Sequence, residues 1–418
     1  MKPHPWLVPW LAGLALAASV PAVVAQALPA PATAALATDR PTLAQAIDAA
    51  WQRSAEAAQS LGQQRQARAE QAAASSLLAA PPALQLSQRE GRGSAAEGQR
   101  ETEVGVALPL WGIGARATAG QAAQAELDWS QAAEQAARLQ VAGQVREALG
   151  LLAGLEAEQR LAALQTQLLG QLADDVDQRV KAGDLAPVDA MAARAEWLTS
   201  QAQQAEAEQK LRSQLAQWRL LTGLAVTAQA EPTAAAPTFD LNENHPELQL
   251  TARGVERAQR KLSLVQTQRG EGPELGVSLR QERPGLGNPT QHSVGVALRL
   301  PFGTAAHAQP RIAAALAEVD LALNQQQRSR DRLAAQLALA REQLQGADGQ
   351  AALEARRANL LRERASHIDK AFKAGELPLP ELLRALNAAA QAEAASARQQ
   401  AQLRLAQARL QQAQGLLP

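Results

Sequence analysis

Asp174, Asp175 and Asp177 crowd three carboxylates into four sequence positions, and Asp369 precedes a closely similar stretch of chain. Carboxylates this close, if they line a pore, attract cations and resist anions. The same side chains on a solvated helix face would only keep that helix wet, and spacing alone does not separate the two readings. Otherwise the chain is poor in reactive groups. His245, His292, His307 and His367 are scattered, with no His-Glu-x-x-His pair, and there is no Gly-x-Ser-x-Gly elbow. Each imidazole reads as a surface or capping group. Gly112-Ile113-Gly114 reads as a bend, not a phosphate cradle. Cysteine is absent, which removes disulfides, thiolate metal sites, a thiol nucleophile and a lipid-bearing cysteine. No catalytic residue, cofactor site or resident metal site is expected. Function has to come from shape and from charge along a surface.

The elements that carry these carboxylates occur twice. Lys181-Ala182-Gly183-Asp184-Leu185-Ala186-Pro187-Val188-Asp189 is echoed by Lys373-Ala374-Gly375-Glu376-Leu377-Pro378-Leu379-Pro380-Glu381. The same offset relates Pro109 to Pro301 and Gly223 to Gly415. A repeat this long is a sizeable piece of architecture, far beyond the ~20–50 residues of a solenoid unit. The expected layout is a leader over 1–25, an Ala/Pro-rich lead-in over 26–40, a first copy over 41–224, a linker over 225–240 and a second copy over 241–418.

Each copy has the same order of parts. A medium helix opens it, over Leu43–Leu78 and again over Pro246–Gln268, with Thr42 as an N-cap and Pro246 in a first-turn position. Two short strands follow. Then come very long helices over Arg116–Val180 and Ala308–Phe372, each on the order of 100 Å at ~1.5 Å per residue. Gly183 and Gly375 end them, and half-length helices return over Val188–Leu221 and Pro380–Gln414. Two half-length helices laid end to end match one long helix. Ile312, Leu316, Val319 and Leu323, then Leu333, Leu337, Ala340 and Leu344, step at heptad spacing, as do Val141, Val145, Ala148, Leu152 and Leu155. Alanine-rich composition with 2% aromatics and no tyrosine suits long helices packed through small side chains.

The strands alternate. Val104, Val106 and Leu108 oppose Glu103, Gly105 and Ala107, and Val294, Val296, Leu298 and Leu300 oppose Ser293, Gly295, Ala297 and Arg299. Leu84 and Leu86, and Leu275, Val277 and Leu279, follow the same rule. Polar, Gly-rich loops over Arg89–Arg100 and Arg283–Thr290 close two hairpins. Four strands are too few for a barrel. Either the apolar faces pack on protein, or several chains pool strands into a membrane barrel with an apolar outside and a wet lumen.

Lys2 and the apolar run Trp6–Val24 read as a secretory leader cleaved after Ala25, an uncleaved anchor being the alternative. Zero net charge argues against nucleic acid as a partner.

Together these parts resemble the TolC family of outer-membrane efflux proteins over essentially the whole chain after the leader. Pro41-Thr42-Leu43 with Ala46-Ile47 resembles the family's opening helix, and His245-Pro246-Glu247-Leu248 the start of its second half. Leu108-Pro109-Leu110-Trp111-Gly112 and Leu300-Pro301-Phe302-Gly303 resemble its strand-to-helix junctions, which singles out Pro109, Trp111, Pro301 and Phe302. The two Lys-Ala-Gly segments resemble its hairpin tips. The resemblance implies a mainly α chain with four strands. Three copies would form a twelve-stranded β-barrel and a hollow α-helical barrel reaching into the periplasm. It implies outer-membrane lipid around the strands, a periplasmic adaptor docked on Gly183, Leu185, Asp189, Gly375, Leu377 and Glu381, and an inner-membrane pump of the resistance-nodulation-division type. Threefold symmetry would turn any inward-facing member of Asp174, Asp175, Asp177 and Asp369 into an acidic ring at a gate. The length matches members that serve heavy-metal cation pumps, so such cations are the expected cargo. The chain departs from the family in its thin aromatic girdle, for want of tyrosine, and anchoring rests on the barrel. A periplasmic adaptor or coiled-coil scaffold is the alternative; an adaptor would carry one hairpin flanked by β-rich domains.

Overall fold

The computed structural model describes residues 40–92, 98–229, 242–268, 270, 272–285, 289–302 and 305–418. The expected leader, the lead-in up to residue 39 and the linker beyond residue 229 lie outside them.

Thr42 starts α1 (Leu43–Arg53) with a reciprocal cap. Its hydroxyl accepts from the Gln45 N–H at 3.2 Å, and the Gln45 side chain accepts from the Thr42 N–H at 2.9 Å. The single opening helix expected over Leu43–Leu78 is two helices. Ser54 takes an extended backbone, its hydroxyl donates to the Trp51 carbonyl at 2.9 Å, and it accepts from the Ala57 N–H at 3.1 Å. Serine thus ends α1 and caps α2 (Ala55–Ser75), because its hydroxyl competes with the helical ladder for backbone groups.

β1 (Ala83–Glu90) and β2 (Gln99–Pro109) precede α3 (Ala115–Ala182), a helix of 68 residues, and α4 (Pro187–Thr222). The order then recurs: α5 (Pro246–Thr267), β3 (Glu274–Pro284), β4 (Gln291–Arg299), α6 (Ala305–Lys373) with 69 residues, and α7 (Leu379–Ala413). The hairpin loops are shorter than expected. Arg89 pairs with Glu101 at 3.3 Å and Glu90 with Arg100 at 3.2 Å, so cross-strand ion pairs carry the ladder past Arg89 and back before Arg100. β3 likewise runs through Arg283 to Pro284.

The helices lie side by side. α3 packs against α1, α2, α4, α5 and α7, α6 packs on α5 and α7, and α4 meets α7 near the tips, where Asn387 donates to Glu196 at 3.0 Å. Val141, Val145 and Leu152 of α3 bury against Leu43, Ile47 and Ala50 of α1 and Trp218 of α4, whose indole N–H donates to the Val226 carbonyl. Leu337 and Ala340 of α6 meet Leu410 of α7. The upper α6 seam differs from expectation. Ala308 and Ala315 are buried while Leu316 and Leu323 stand exposed, because α6 approaches α5 on its alanine side. Glycines on α3 allow a close approach to α7. A Cβ at Gly143, Gly150 or Gly154 would press on Gln412, Leu405 or Ala401 at 3.0–3.2 Å.

α7 and α5 abut end to end along α3 and α6. The joint is His245, only 1% exposed. Its Nδ1 caps α5 by accepting from the Glu247 N–H at 3.1 Å, and its ring lies against Gly415 beyond the C-terminus of α7. Gly415 has φ +73°, and a Cβ there would sit 2.5 Å from the imidazole.

Burial lowers the His245 pKa, with Arg332 also lowering it, while Glu247 and the Gln412 backbone oppose the shift. The folded state therefore binds fewer protons here than the unfolded state, so the joint is stable above the ordinary histidine pKa and weakens as pH falls below it. Helix melting followed by circular dichroism should show a midpoint that drops from neutral to mildly acidic pH. H245N, which keeps a capping side chain without titrating, should flatten that dependence. G415A should destabilise at every pH by about 1–3 kcal/mol, through its left-handed φ and the clash with His245.

Candidate functional site

The four strands form one antiparallel sheet in the order β1-β2-β3-β4. Register aligns the apolar residues in unbroken rows. Leu84, Val106, Val277 and Val296 face one another across all four strands, as do Leu86, Val104, Leu279 and Val294; Leu108, Leu275 and Leu298 form a third row. Alternation then puts every one of them on the same face. That face is open: Leu84 is 75% exposed, Val294 71% and Val296 72%. Nothing in the described chain covers it. It is larger than the scattered apolar surface ordinary for a soluble monomer.

The reverse face is polar or small. Glu101 is held between Arg89 at 3.3 Å and Arg280 at 2.8 Å. Gly105 and Ala107 are buried, and Gly105 lies so close to Ser278 that a Cβ would come within 3.2 Å of it. The outer strands β1 and β4 have no partner on their far sides among the described residues.

At the helix end of the sheet, Pro109 closes β2 and the Leu110 N–H donates to the Pro273 carbonyl at 2.7 Å. The Trp111 indole donates to the Ser76 carbonyl at 3.0 Å. Phe302 and Ile113 project fully into solvent, and Pro301 is exposed.

The two hairpin tips lie together at the other end of the helices. Phe372, Leu379 and Leu382 of the second hairpin pack with Leu169, Ala173 and Val176 of the first, and the Arg179 guanidinium lies 5.1 Å from the Phe372 ring centre. Gly183 and Gly375 both take left-handed φ, at +91° and +79°. Each begins a bonded turn that satisfies the last carbonyls of its long helix: Asp184 N–H to Arg179 O at 2.8 Å, and Glu376 N–H to Ala371 O at 2.9 Å. Leu185 and Leu377 are half-buried, and Leu185 packs into the tip core. Asp189 caps α4, its carboxylate accepting from the Ala186 N–H at 3.2 Å, and Glu381 pairs with Arg384.

Of the four acidic side chains singled out by spacing, three are ion-paired within the chain. Asp175 meets Arg179 at 3.0 Å, Asp177 meets Arg194 of α4, and Asp369 meets Lys373 at 2.7 Å. Asp174 is exposed and has no ion pair among the described residues.

Two further surfaces went unnoticed in the sequence. On α4, Val188, Met191, Ala195, Leu198, Ala202 and Ala205 form an exposed row at heptad spacing. On α6, Ala335, Leu339, Gly346, Leu353 and Leu360 form another. These helices do not touch each other, and each lies on a flank of the helical layer. The three-four spacing was legible, but it was masked by the stronger rows that bind each helix to its own hairpin partner.

The fold has close counterparts among solved structures. The outer membrane protein VceC of Vibrio cholerae superposes with a TM-score of 0.70 at 17% identity, covering 89% of this chain and 96% of its own. The open-state MtrE outer membrane channel of Neisseria gonorrhoeae gives 0.71 at 15% identity, with coverage of 90% and 89%. The CmeC outer membrane channel of Campylobacter jejuni gives 0.69 at 16%, with 89% and 85%. No family model and no curated relative matches the sequence. The chain therefore has the TolC-like fold of long helices and a small antiparallel sheet.

Replacing Asp189 by Ala should cost the first hairpin tip about 1 kcal/mol, read as a lower melting midpoint, by removing the α4 cap. Asn keeps an acceptor there, so D189N should lose much less. Equal losses in the two variants would assign the stabilisation to the charge instead.

Proposed function

We propose that this chain is one subunit of a trimeric outer-membrane efflux duct. The observation that carries the reading is the sheet: one face apolar from edge to edge and exposed, the reverse face polar or small, both edges open. An apolar outside with a wet inside is the arrangement of a membrane barrel, and closure is what satisfies the edge backbone in lipid. Three chains supply twelve strands. The exposed rows on α4 and α6 supply the flanks through which neighbouring helical layers close into a tube. The fold shared with outer membrane channels supports the same assignment. In this reading residues 1–25 direct export, the two copies 41–224 and 241–418 are joined by the linker 225–240, and the protein has no enzymatic activity.

The helices, each on the order of 100 Å long, carry the tube into the periplasm. A periplasmic adaptor docks on the tips at Gly183, Leu185, Asp189, Gly375, Leu377 and Glu381, and an inner-membrane pump of the resistance-nodulation-division type supplies the work. The intrachain ion pairs of Asp175, Asp177 and Asp369 leave Asp174 as the strongest candidate for an acidic ring at the gate. Heavy-metal cations remain the proposed cargo, on chain length. An adaptor or scaffold role accounts for neither the open apolar sheet face nor the second hairpin.

The purified protein should run as a trimer in mild detergent and conduct in planar bilayers. V106R or V296R, which each put a charge in the middle of the apolar rows, should destabilise insertion by about 2–4 kcal/mol and lower its yield. D174N should reduce cation preference in single-channel recordings. A monomer in mild detergent would overturn the duct, whereas unchanged currents in D174N would remove only the gate. A deletion strain challenged with zinc, cobalt, cadmium, copper and hydrophobic drugs tests the cargo.

A further inference from the structure

Beyond the apolar rows the outer face of the sheet changes character in two steps. The next row away from the helices is Gln88, Thr102, Gln281 and His292, which offers amide, hydroxyl and imidazole groups. The row after it is Glu90, Arg100 and Arg283, on the same face by alternation. Each row stands about 7 Å beyond the last along the strands. Arg100 and Arg283 are direct cross-strand partners, and like charges placed opposite each other are destabilising. Glu90 offsets Arg100 at 3.2 Å. Arg283 is exposed and has no ion pair among the described residues, so the row keeps a net positive charge.

We propose that Arg100 and Arg283 form a binding site for the phosphate of a membrane amphiphile whose acyl chains lie on the apolar rows. This rests on reading the sheet as a membrane wall. The order of groups along the face (hydrocarbon, then neutral hydrogen-bonding groups, then guanidinium) matches acyl chain, linkage region and phosphate in an anionic lipid. A phosphate between the two guanidiniums relieves their repulsion and accepts from both planar forks, which lysine could not reproduce. The occupant is a phosphorylated lipid, not free phosphate. The polar reverse face offers no equivalent, because Arg89 and Arg280 both meet Glu101.

The full-length protein, stripped of lipid in a neutral detergent, is titrated with diphosphoryl lipid A and with its dephosphorylated form, and bound lipid is counted by native mass spectrometry. The phosphorylated form should be retained about tenfold more strongly. R100Q/R283Q should abolish the preference, R100K/R283K should restore part of it, and R89Q/R280Q should leave it intact. Equal retention of the two lipids by the unaltered protein overturns the site and needs no variant. So does a preference that survives in R100Q/R283Q, and so does tight uptake of inorganic phosphate that does not compete with the lipid. Flotation with phosphatidylcholine vesicles tests the wall separately. A protein that floats without phosphate preference refutes this site alone, and one that does not float refutes the barrel.

Discussion

A sheet that is apolar across all four strands and open at both edges cannot rest in water or, alone, in lipid. In water the rows from Leu84 to Val296 stay wetted; in hydrocarbon the free backbone groups of β1 and β4 have no partners. Pairing β4 of one copy with β1 of the next would satisfy the edge backbone, and a wall closed in that way could then lie with its apolar rows in lipid. The rest of the molecule is compatible with that closure. The helices run side by side as a layer with exposed rows on its flanks, not wrapped around a central core, and the hydrophobic contacts are divided into local clusters along their length.

Small side chains make such a layer possible. Where α3 meets α7, glycine and alanine let the backbones approach closely, and larger side chains would push the layer apart. Large residues are kept for the joints. Trp218 fills the contact between α4 and α1, Phe372 locks one hairpin tip against the other, and His245 fills the gap between α7 and α5. Of the few aromatics, Trp218 lies near the end of α4 and Phe372 at the end of α6.

Much of this was legible in the sequence. The long helices announced themselves by composition and by glycine at both tips, and their observed ends lie within three residues of the expected ones. The strand alternation was equally plain. What it could not reveal was which solvent the apolar faces meet, since alternation is the same for a protein core and for lipid. The break at Ser54 was hidden because serine is tolerated inside helices until tertiary packing favours its capping role. The acidic group at 174–177 was visible, but its neutralisation was only half so. Arg179 and Lys373 stand one turn from their partners, whereas Arg194 comes from the returning helix and is brought in by the fold alone.

The longest ladder in the sheet joins β2 to β3, strands from opposite halves of the chain about 170 residues apart. The hairpins on either side are local, but this central seam cannot form until both halves of the chain are present. During that interval each half exposes an apolar hairpin with an unsatisfied inner edge, the hazard that invites aggregation. The first hairpin carries that hazard longest, because its partner strand β3 follows about 170 residues later in the chain.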